Sequence, residues 1–274
     1  MGIFGLLFKI IDRLPESRHL AALGQRYAER CRGDNDADPD RNGEVRLLRA
    51  VLPAAQIVLD CGANVGNWTR AALAANPALQ IHCFEPSPTN FEKLRVLAVP
   101  QKVYCNNVGV GALDEERTLN VYEATGQINS LYPRRAEENS EVAAVRTETI
   151  KLITIDGYLR SNSIKHVDFC KIDVEGHELE AFKGMADTLR SGAVDLVQFE
   201  YGGTFLDARI LLRDIFKVIE PYGYDFYKIL PNRLQPVARY SHEYENFVYQ
   251  NWLLARRGWN GLERDALVRG RALR

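Results

Sequence analysis

Two short runs of residues carry the chemistry that this sequence can offer. The first is Val58-Leu-Asp-Cys-Gly-Ala-Asn-Val-Gly66, with an acid, Glu85, nineteen positions after the second glycine. The second is Asp173-Val-Glu-Gly-His-Glu178, joined by Glu200 at the end of a later apolar stretch. In the first run, Gly62 permits a tight turn and close backbone approach to a ligand, while Gly66 permits close helix packing. Glu85 stands at the spacing where a carboxylate accepts hydrogen bonds from ribose hydroxyls. Asp60 adds a second negative charge, which repels a pyrophosphate and attracts an ammonium. The glycine pattern is G-x-x-x-G, not the G-x-G-x-x-G that frees a helix N-terminus for pyrophosphate. Both details favour S-adenosylmethionine, which carries an ammonium, a sulfonium and a ribose but no phosphate. A dinucleotide enzyme and a purely structural glycine turn remain open on this run alone.

The second run suits methyl transfer, an in-line displacement that needs an oriented acceptor and, for a hydroxyl, a base. Asp173, Glu175, His177 and Glu200 are the candidate catalytic groups. Asp173, Glu175 and Glu200 are also candidate ligands for a divalent cation such as magnesium, which would lower the acceptor's pKa. Against a chemical role stands the helix dipole: Glu178 and Glu180, and to a lesser degree Glu175, complement the positive end of a following helix.

These runs need elements that bring them together. Short apolar segments at 57–61, 80–84, 103–106, 167–172 and 194–199 alternate with helical patterns at 68–75, 90–98, 179–189 and 208–219, which predicts an open, mostly parallel sheet covered on both faces. In such a sheet, both runs lie at the carboxyl ends of strands, where ligands bind. Segments 118–122 and 145–153 read as a β excursion with a loop carrying Gln127, Asn129 and Ser130. Segments 224–229 and 247–254, with Asn232 in the turn-rich stretch between them, read as a closing antiparallel strand pair. Residues 1–33 look helical, the polar run 32–43 reads as a linker, and the catalytic domain is expected over 44–274.

Composition narrows the class. The 274 residues, 46% apolar and 26% charged, belong to an ordinary globular chain, and a net charge of −1 gives no general attraction to nucleic acid or to anionic membrane. The five cysteines (Cys31, Cys61, Cys83, Cys105 and Cys170) form no C-x-x-C pair, and four lie in apolar runs, so reduced core thiols and a cytoplasmic location are expected. The apolar start has no basic region before it, is broken by Lys9, Asp12 and Arg13, and is too short to span a bilayer. Gly2 lacks the Ser or Thr four positions on that myristoylation requires. An amphipathic helix packed on the domain or on a second subunit is expected there, ahead of peripheral membrane contact.

Taken together, the motifs resemble the FkbM-type methyltransferases, a branch of the class I S-adenosylmethionine-dependent enzymes. The resemblance rests on Val58–Trp68, on Phe84-Glu-Pro-Ser-Pro-Thr-Asn-Phe91, on Leu152-Ile-Thr-Ile-Asp-Gly-Tyr158, on Lys171-Ile-Asp-Val-Glu-Gly-His-Glu178 and on Glu245-Asn-Phe-Val-Tyr-Gln-Asn251. It covers roughly residues 50–255. It implies the class I (Rossmann-like) α/β fold and O-methylation of a hydroxyl on a sugar, a glycan or a small secondary metabolite. It puts cofactor contacts at Asp60, Gly62, Asn64, Gly66, Glu85, Pro86 and Ser87, with Asn107 near the adenine, Asn129-Ser130 near the cofactor and Asp173 near the transferred methyl. His177 departs from the family, where many members carry an apolar or small residue. N- or carboxyl-methylation, and a binding protein that has lost its chemistry, are the alternatives.

Overall fold

The computed structural model describes residues 17–122, 128–134, 144–260 and 264–269, without the side chains of 264–266. The expectations for residues 1–16 and for Gln127 lie outside the described residues. The chain opens with α1 (Arg18–Arg32) and α2 (Glu44–Val51), then alternates β1 (Ile57–Cys61), α3 (Asn67–Ala75), β2 (Gln80–Phe84), α4 (Pro88–Leu94) and β3 (Val103–Asn106). The excursion follows as β4 (Gly109–Val110), β5 (Glu115–Val121) and β6 (Arg146–Ile153). After α5 (Ile155–Ser161) come β7 (Val167–Ile172), α6 (Glu178–Lys183), α7 (Ala186–Ser191), β8 (Val194–Tyr201), α8 (Thr204–Ala208) and α9 (Leu212–Ile219). The strands β9 (Tyr224–Leu230), β10 (Arg233–Val237) and β11 (Gln250–Arg256) close the sheet, followed by α10 (Arg264–Arg269).

Eight strands make the main sheet in the order β10-β9-β11-β8-β7-β1-β2-β3. The pairings from β3 through β8 are parallel, and β11 runs antiparallel to both neighbours, β8 and β9. This is the doubly wound sheet with a closing antiparallel pair, and the order reverses between β1 and β7. Continuous apolar runs make the central strands: every residue of β7 except Val167's neighbour Asp168 is buried, as a strand covered on both faces requires. Amphipathic spacing makes the cover. In α9, Leu212, Ile215, Phe216 and Ile219 face the core, each contributing about 2 kcal/mol of gross burial.

Several boundaries differ from the sequence expectation, for identifiable reasons. The helix expected over 179–189 is two helices, because a bend at Gly184 lets the Gly111 carbonyl approach; a Cβ on Gly184 would lie 1.9 Å from that oxygen. The helix expected over 208–219 starts earlier as α8 and breaks at Arg209, whose φ is +56°. The helix expected over 90–98 covers 88–94 and then tightens into a 3-10 turn. Helices α2 and α5 and strands β4 and β10 had no counterpart in the expectation. The excursion forms its own three-stranded sheet, β4-β6-β5, with a small core of Leu119, Val121, Ile150 and Leu152. The linker segment is irregular but docked: buried Asp34 pairs with Lys228 at 3.1 Å, and the Asn35 amide donates to the Tyr249 carbonyl. All five cysteines are free, and Cys61, Cys83 and Cys170 are buried.

Candidate functional site

A cavity of about 400 Å³ opens where the strand order reverses, a volume that suits a small-molecule ligand. The carboxyl ends of β1, β2, β7 and β8 form its floor through Gly62, Asn64, Glu85, Pro86, Asp173 and Glu200. The small sheet roofs it with Val110, Leu119, Ile150 and Leu152, joined by Asn129 and Ser130. The start of α2 and the segment before it supply the remaining wall.

Gly62 is dictated by geometry. Its φ is +80°, and a Cβ there would lie 1.7 Å from the Asp173 carbonyl oxygen. The two motif loops therefore touch backbone to backbone, and the Asp173 amide donates to the Cys61 carbonyl at 3.0 Å. The close approach that the sequence assigned to a ligand is, in the first instance, the approach of β1 to β7.

Glu85 locks the glycine turn. Its Oε2 accepts from the Asn64 amide at 2.8 Å and its Oε1 from the Ser87 amide at 2.9 Å. Burial pushes its carboxyl up to about 7. Each oxygen keeps a further lone pair for a ligand hydroxyl. Ser87 and Asn107, expected as cofactor contacts, lie outside the cavity lining. The Ser87 amide serves Glu85, and Asn107 Nδ2 donates to the Glu85 and Pro86 carbonyls at 2.9 and 3.1 Å. Both hold the turn from behind. Gly66 also lies off the lining, where a Cβ would meet Leu97 at 2.4 Å, so its role is helix packing.

Asp60 also stands back from the cavity. It is fully buried beneath the turn and does not line the cavity. Thr69 Oγ1 donates to its Oδ2 at 2.6 Å, and Lys171 Nζ lies 3.7 Å from its Oδ1. Its charge reaches the cavity through Lys171, whose Nζ also pairs with Asp173 Oδ2 at 3.0 Å. Burial would pull the Lys171 ammonium down, but Asp173, Asp60 and Glu44 outweigh it and hold the group well above the ordinary lysine range. Lys171 is thus the cation that bridges the acid beneath the floor and the acid on it.

The loop from Asp173 to Gly176 is strained and tied down. Glu175 has φ +56° and Gly176 φ +100°, with the space for a Gly176 Cβ taken by the Thr204 carbonyl at 2.8 Å. Glu178 Oε1 accepts from the Val174 and Gly176 amides at 3.0 and 3.3 Å, and Ser130 Oγ donates to the Glu175 carbonyl at 2.7 Å. Glu178 is therefore a loop clamp. Arg134 holds the Glu175 carboxylate at 2.5 Å; burial first, then Asp173, push that carboxyl up to about 7 against the pull of Arg134. Burial, then Asp173 and Glu175, drive Glu200 well above the carboxylate range.

His177 is buried, with Nδ1 2.9 Å from the Tyr132 hydroxyl and Nε2 without a hydrogen-bond partner. Burial pulls its pKa down to about 4, so the ring is neutral near pH 7. The four catalytic candidates all line the cavity. The carboxylates of Asp173, Glu175 and Glu200 do not converge as metal ligands. Among the described residues, the grouping of three such side chains within 4.8 Å is His166, Asp168 and Asp195, at the other end of the sheet. Lys171 and Arg134 already serve Asp173 and Glu175 as counter-ions.

Sequence reasoning did not single out Glu44, Trp68, Lys171, Tyr249 and Asn251, which also line the cavity. Four of these five stand inside motifs quoted above. Glu44 is reached only through folding: Gln198 Nε2 donates to its Oε1, and burial raises its carboxyl. The lining as a whole holds Glu44, Glu85, Asp173, Glu175 and Glu200 against the single ammonium of Lys171. Burial holds several of these carboxyl groups toward their neutral form, so the wall offers hydrogen-bonding oxygens to ligand hydroxyls such as those of a ribose.

Three relatives of this chain are methyltransferases by name. Hexuronic acid methyltransferase AglP of Haloferax volcanii is 29% identical over 181 residues, 64% of this chain and 70% of that protein. The 31-O-demethyl-FK506 methyltransferase FkbM of Streptomyces tacrolimicus is 26% identical over 132 residues, 47% of either chain, so the match spans about half of that relative. Methyltransferase 1 of Beauveria bassiana is 25% identical over 154 residues, 50% of this chain and 61% of its own length. The methyltransferase FkbM domain matches residues 60–226, which run from the aspartate beneath the glycine turn to the sixth strand of the main sheet in chain order. The match covers more than half of the chain, and this protein belongs to the FkbM methyltransferase family.

Proposed function

We propose that this protein transfers the methyl group of S-adenosylmethionine to a hydroxyl of a sugar, glycan or small metabolite. The observation that carries the reading is the acid-lined cavity at the reversal point, with Glu85 and Asp173 on either side of Gly62. S-adenosylmethionine, when bound, supplies an electrophilic methyl on a sulfonium. Glu85 accepts from the ribose hydroxyls, and the Asn64 and Pro86 turn shapes that end of the cavity. The apolar roof of Leu119, Ile150 and Leu152 excludes water from the transfer site.

Asp173 receives the proton of the acceptor hydroxyl. It is the more open acid, with 28% of its side chain exposed, whereas Glu175 is tied to Arg134 and Glu200 is pushed toward its neutral form. Lys171 orients the Asp173 carboxylate. His177, neutral and backed by Tyr132, shapes the wall beside it. The names of two relatives, a hexuronic acid methyltransferase and a 31-O-demethyl-FK506 methyltransferase, support a sugar, glycan or small-metabolite acceptor. Free thiols support a reducing, cytoplasmic setting, and none of the described helices is long and apolar enough to cross a membrane.

Calorimetry with S-adenosylmethionine tests the cofactor, and its failure at high micromolar ligand would overturn the reading. Methyl transfer to hydroxylated oligosaccharides, with and without hexuronic acid, tests the acceptor. A methyl ether survives mild alkali, whereas an alkali-labile product would identify a carboxyl methyl ester and sink the hydroxyl assignment. Magnesium and a chelator are expected to leave turnover unchanged.

A further inference from the structure

The helix α1 has no buried residue, and every position from Arg18 to Tyr27 is exposed. Leu20, Leu23 and Tyr27 are 49%, 67% and 71% exposed. An isolated helix of this length is marginal in water, so packing against a partner surface is what would stabilise it. At about 100° per residue, Leu20, Leu23, Tyr27 and Cys31 fall within an arc of about 80°. The small residues Gly24, Ala28 and Ala21 widen that face on one side.

Charge identifies the partner. Arg26 and Arg30, with His19, flank one edge of the apolar arc, and Arg18 and Arg32 lie beyond the other; Glu29 lies on the opposite face. The helix thus carries +3, leaving −4 on the rest of a chain whose sum is −1. A second copy pairing antiparallel through this stripe would bring arginine rows together, which like-charge repulsion opposes, and in a parallel pair the arginines would face Gly24 and Ala28 with no acid at the seam to meet them. An anionic lipid surface accepts both features, the apolar face entering the headgroup boundary while the flanking arginines meet lipid phosphates.

The helix is also fixed to the body. Gly33, with φ +69°, ends it against Leu230, and Gln250 Nε2 donates to the Arg32 carbonyl at 3.3 Å. Asp34 is held by Lys228, and four residues after Gly33 the chain reaches Ala37, which lines the cavity. We infer that α1 is an in-plane anchor that docks this protein on an anionic membrane surface, with the cavity wall joined directly to the anchor. The inference does not depend on the reaction proposed above.

Co-sedimentation of the full chain with phosphatidylcholine vesicles, with and without phosphatidylglycerol, tests it. Binding is expected to the anionic vesicles, to weaken in high salt, and to fall about fivefold for each of Arg26→Gln and Arg30→Gln. Leu23→Gln should also release the protein, although the charges are intact. Because these side chains are exposed, all three variants should keep the wild-type melting temperature and cofactor affinity, which separates lost docking from lost folding. No binding to phosphatidylglycerol vesicles would overturn the inference. So would a stable dimer in solution that Leu23→Gln dissociates, since the stripe would then be a subunit contact.

Discussion

The two ends of the main sheet each gather charged side chains, and they treat them differently. At the amino end, Asp168 Oδ2 accepts from the Gln56 and Ile57 amides at 2.8 and 2.9 Å, and Asp195 Oδ1 accepts from Arg256 Nη2 and Nε at 2.7 and 2.9 Å. His166 Nε2 adds a contact to Asp195 at 3.1 Å. These are stitches between strands. At the carboxyl end, Glu178 Oε2 and His177 Nε2 are buried without a hydrogen-bond partner, and Glu85 and Glu175 are pushed up to about 7. A cluster of acids is thus a poor marker of a site. The marker is acids held in a cavity at an energetic cost that a ligand can relieve.

That contrast can be broken experimentally, and the largest effect is expected at Asp173. Asp173→Asn should lower turnover by on the order of 10²- to 10⁴-fold while cofactor affinity stays within a few-fold. Equal losses in both would make Asp173 a binding group instead. At the amino end, Asp168→Ala leaves two strand amides without their acceptor and should cost about 2 kcal/mol of stability, read as a lower denaturation midpoint, with turnover of the folded enzyme unchanged. A fall in turnover per folded molecule would erase the distinction between the two ends.

Glu85→Gln should weaken cofactor binding about tenfold, because the amide group turns an N–H toward the Asn64 or Ser87 amide. In the wild type, affinity should rise with pH through about 7 as Glu85 ionises and accepts more strongly from the ribose; in the variant that rise should be absent. The last effect is confined to the pH dependence and is expected at Glu178, whose carboxyl burial raises from 4.5 to about 8. Its contribution to stability is fully present below its unfolded value and is lost as pH rises through about 8. Glu178→Gln keeps an acceptor for the Val174 and Gly176 amides, so it should be near neutral at low pH and flatten the decline toward alkaline pH. Unfolding curves across that range measure the slope, and a slope identical to wild type would show that Glu178 does not titrate there.

Much of this was legible in the residues. β1, β2 and β7 lie where apolar runs bounded by turn residues placed them, because a strand buried on both faces declares itself locally; β3, at the sheet edge, lies where its short run placed it too. The closing pair was read correctly as antiparallel, but β10 was missed, since Pro236 and alternating polar residues disguise an edge strand. The helix breaks at Gly184 and Arg209 were not legible, for each answers to a contact or turn set elsewhere in the fold. Glu44 was invisible as a cavity residue because its partner, Gln198, lies 154 positions away.

The residue types and spacing alone determined the strand-turn-helix units, the two acidic motifs and the family to which they belong, since all of these rest on neighbours in the chain. Only the tertiary structure decided what each motif residue touches. It placed Asp60 under the floor instead of on it, turned Gly62 into the contact between two strand ends, and set Lys171 between Asp60 and Asp173. Burial and charge depend on what the sheet brings together from distant parts of the chain. The pattern Asp-Cys-Gly-Ala-Asn-Val-Gly names a turn; the pairing of β1 with β7 makes it one wall of a site.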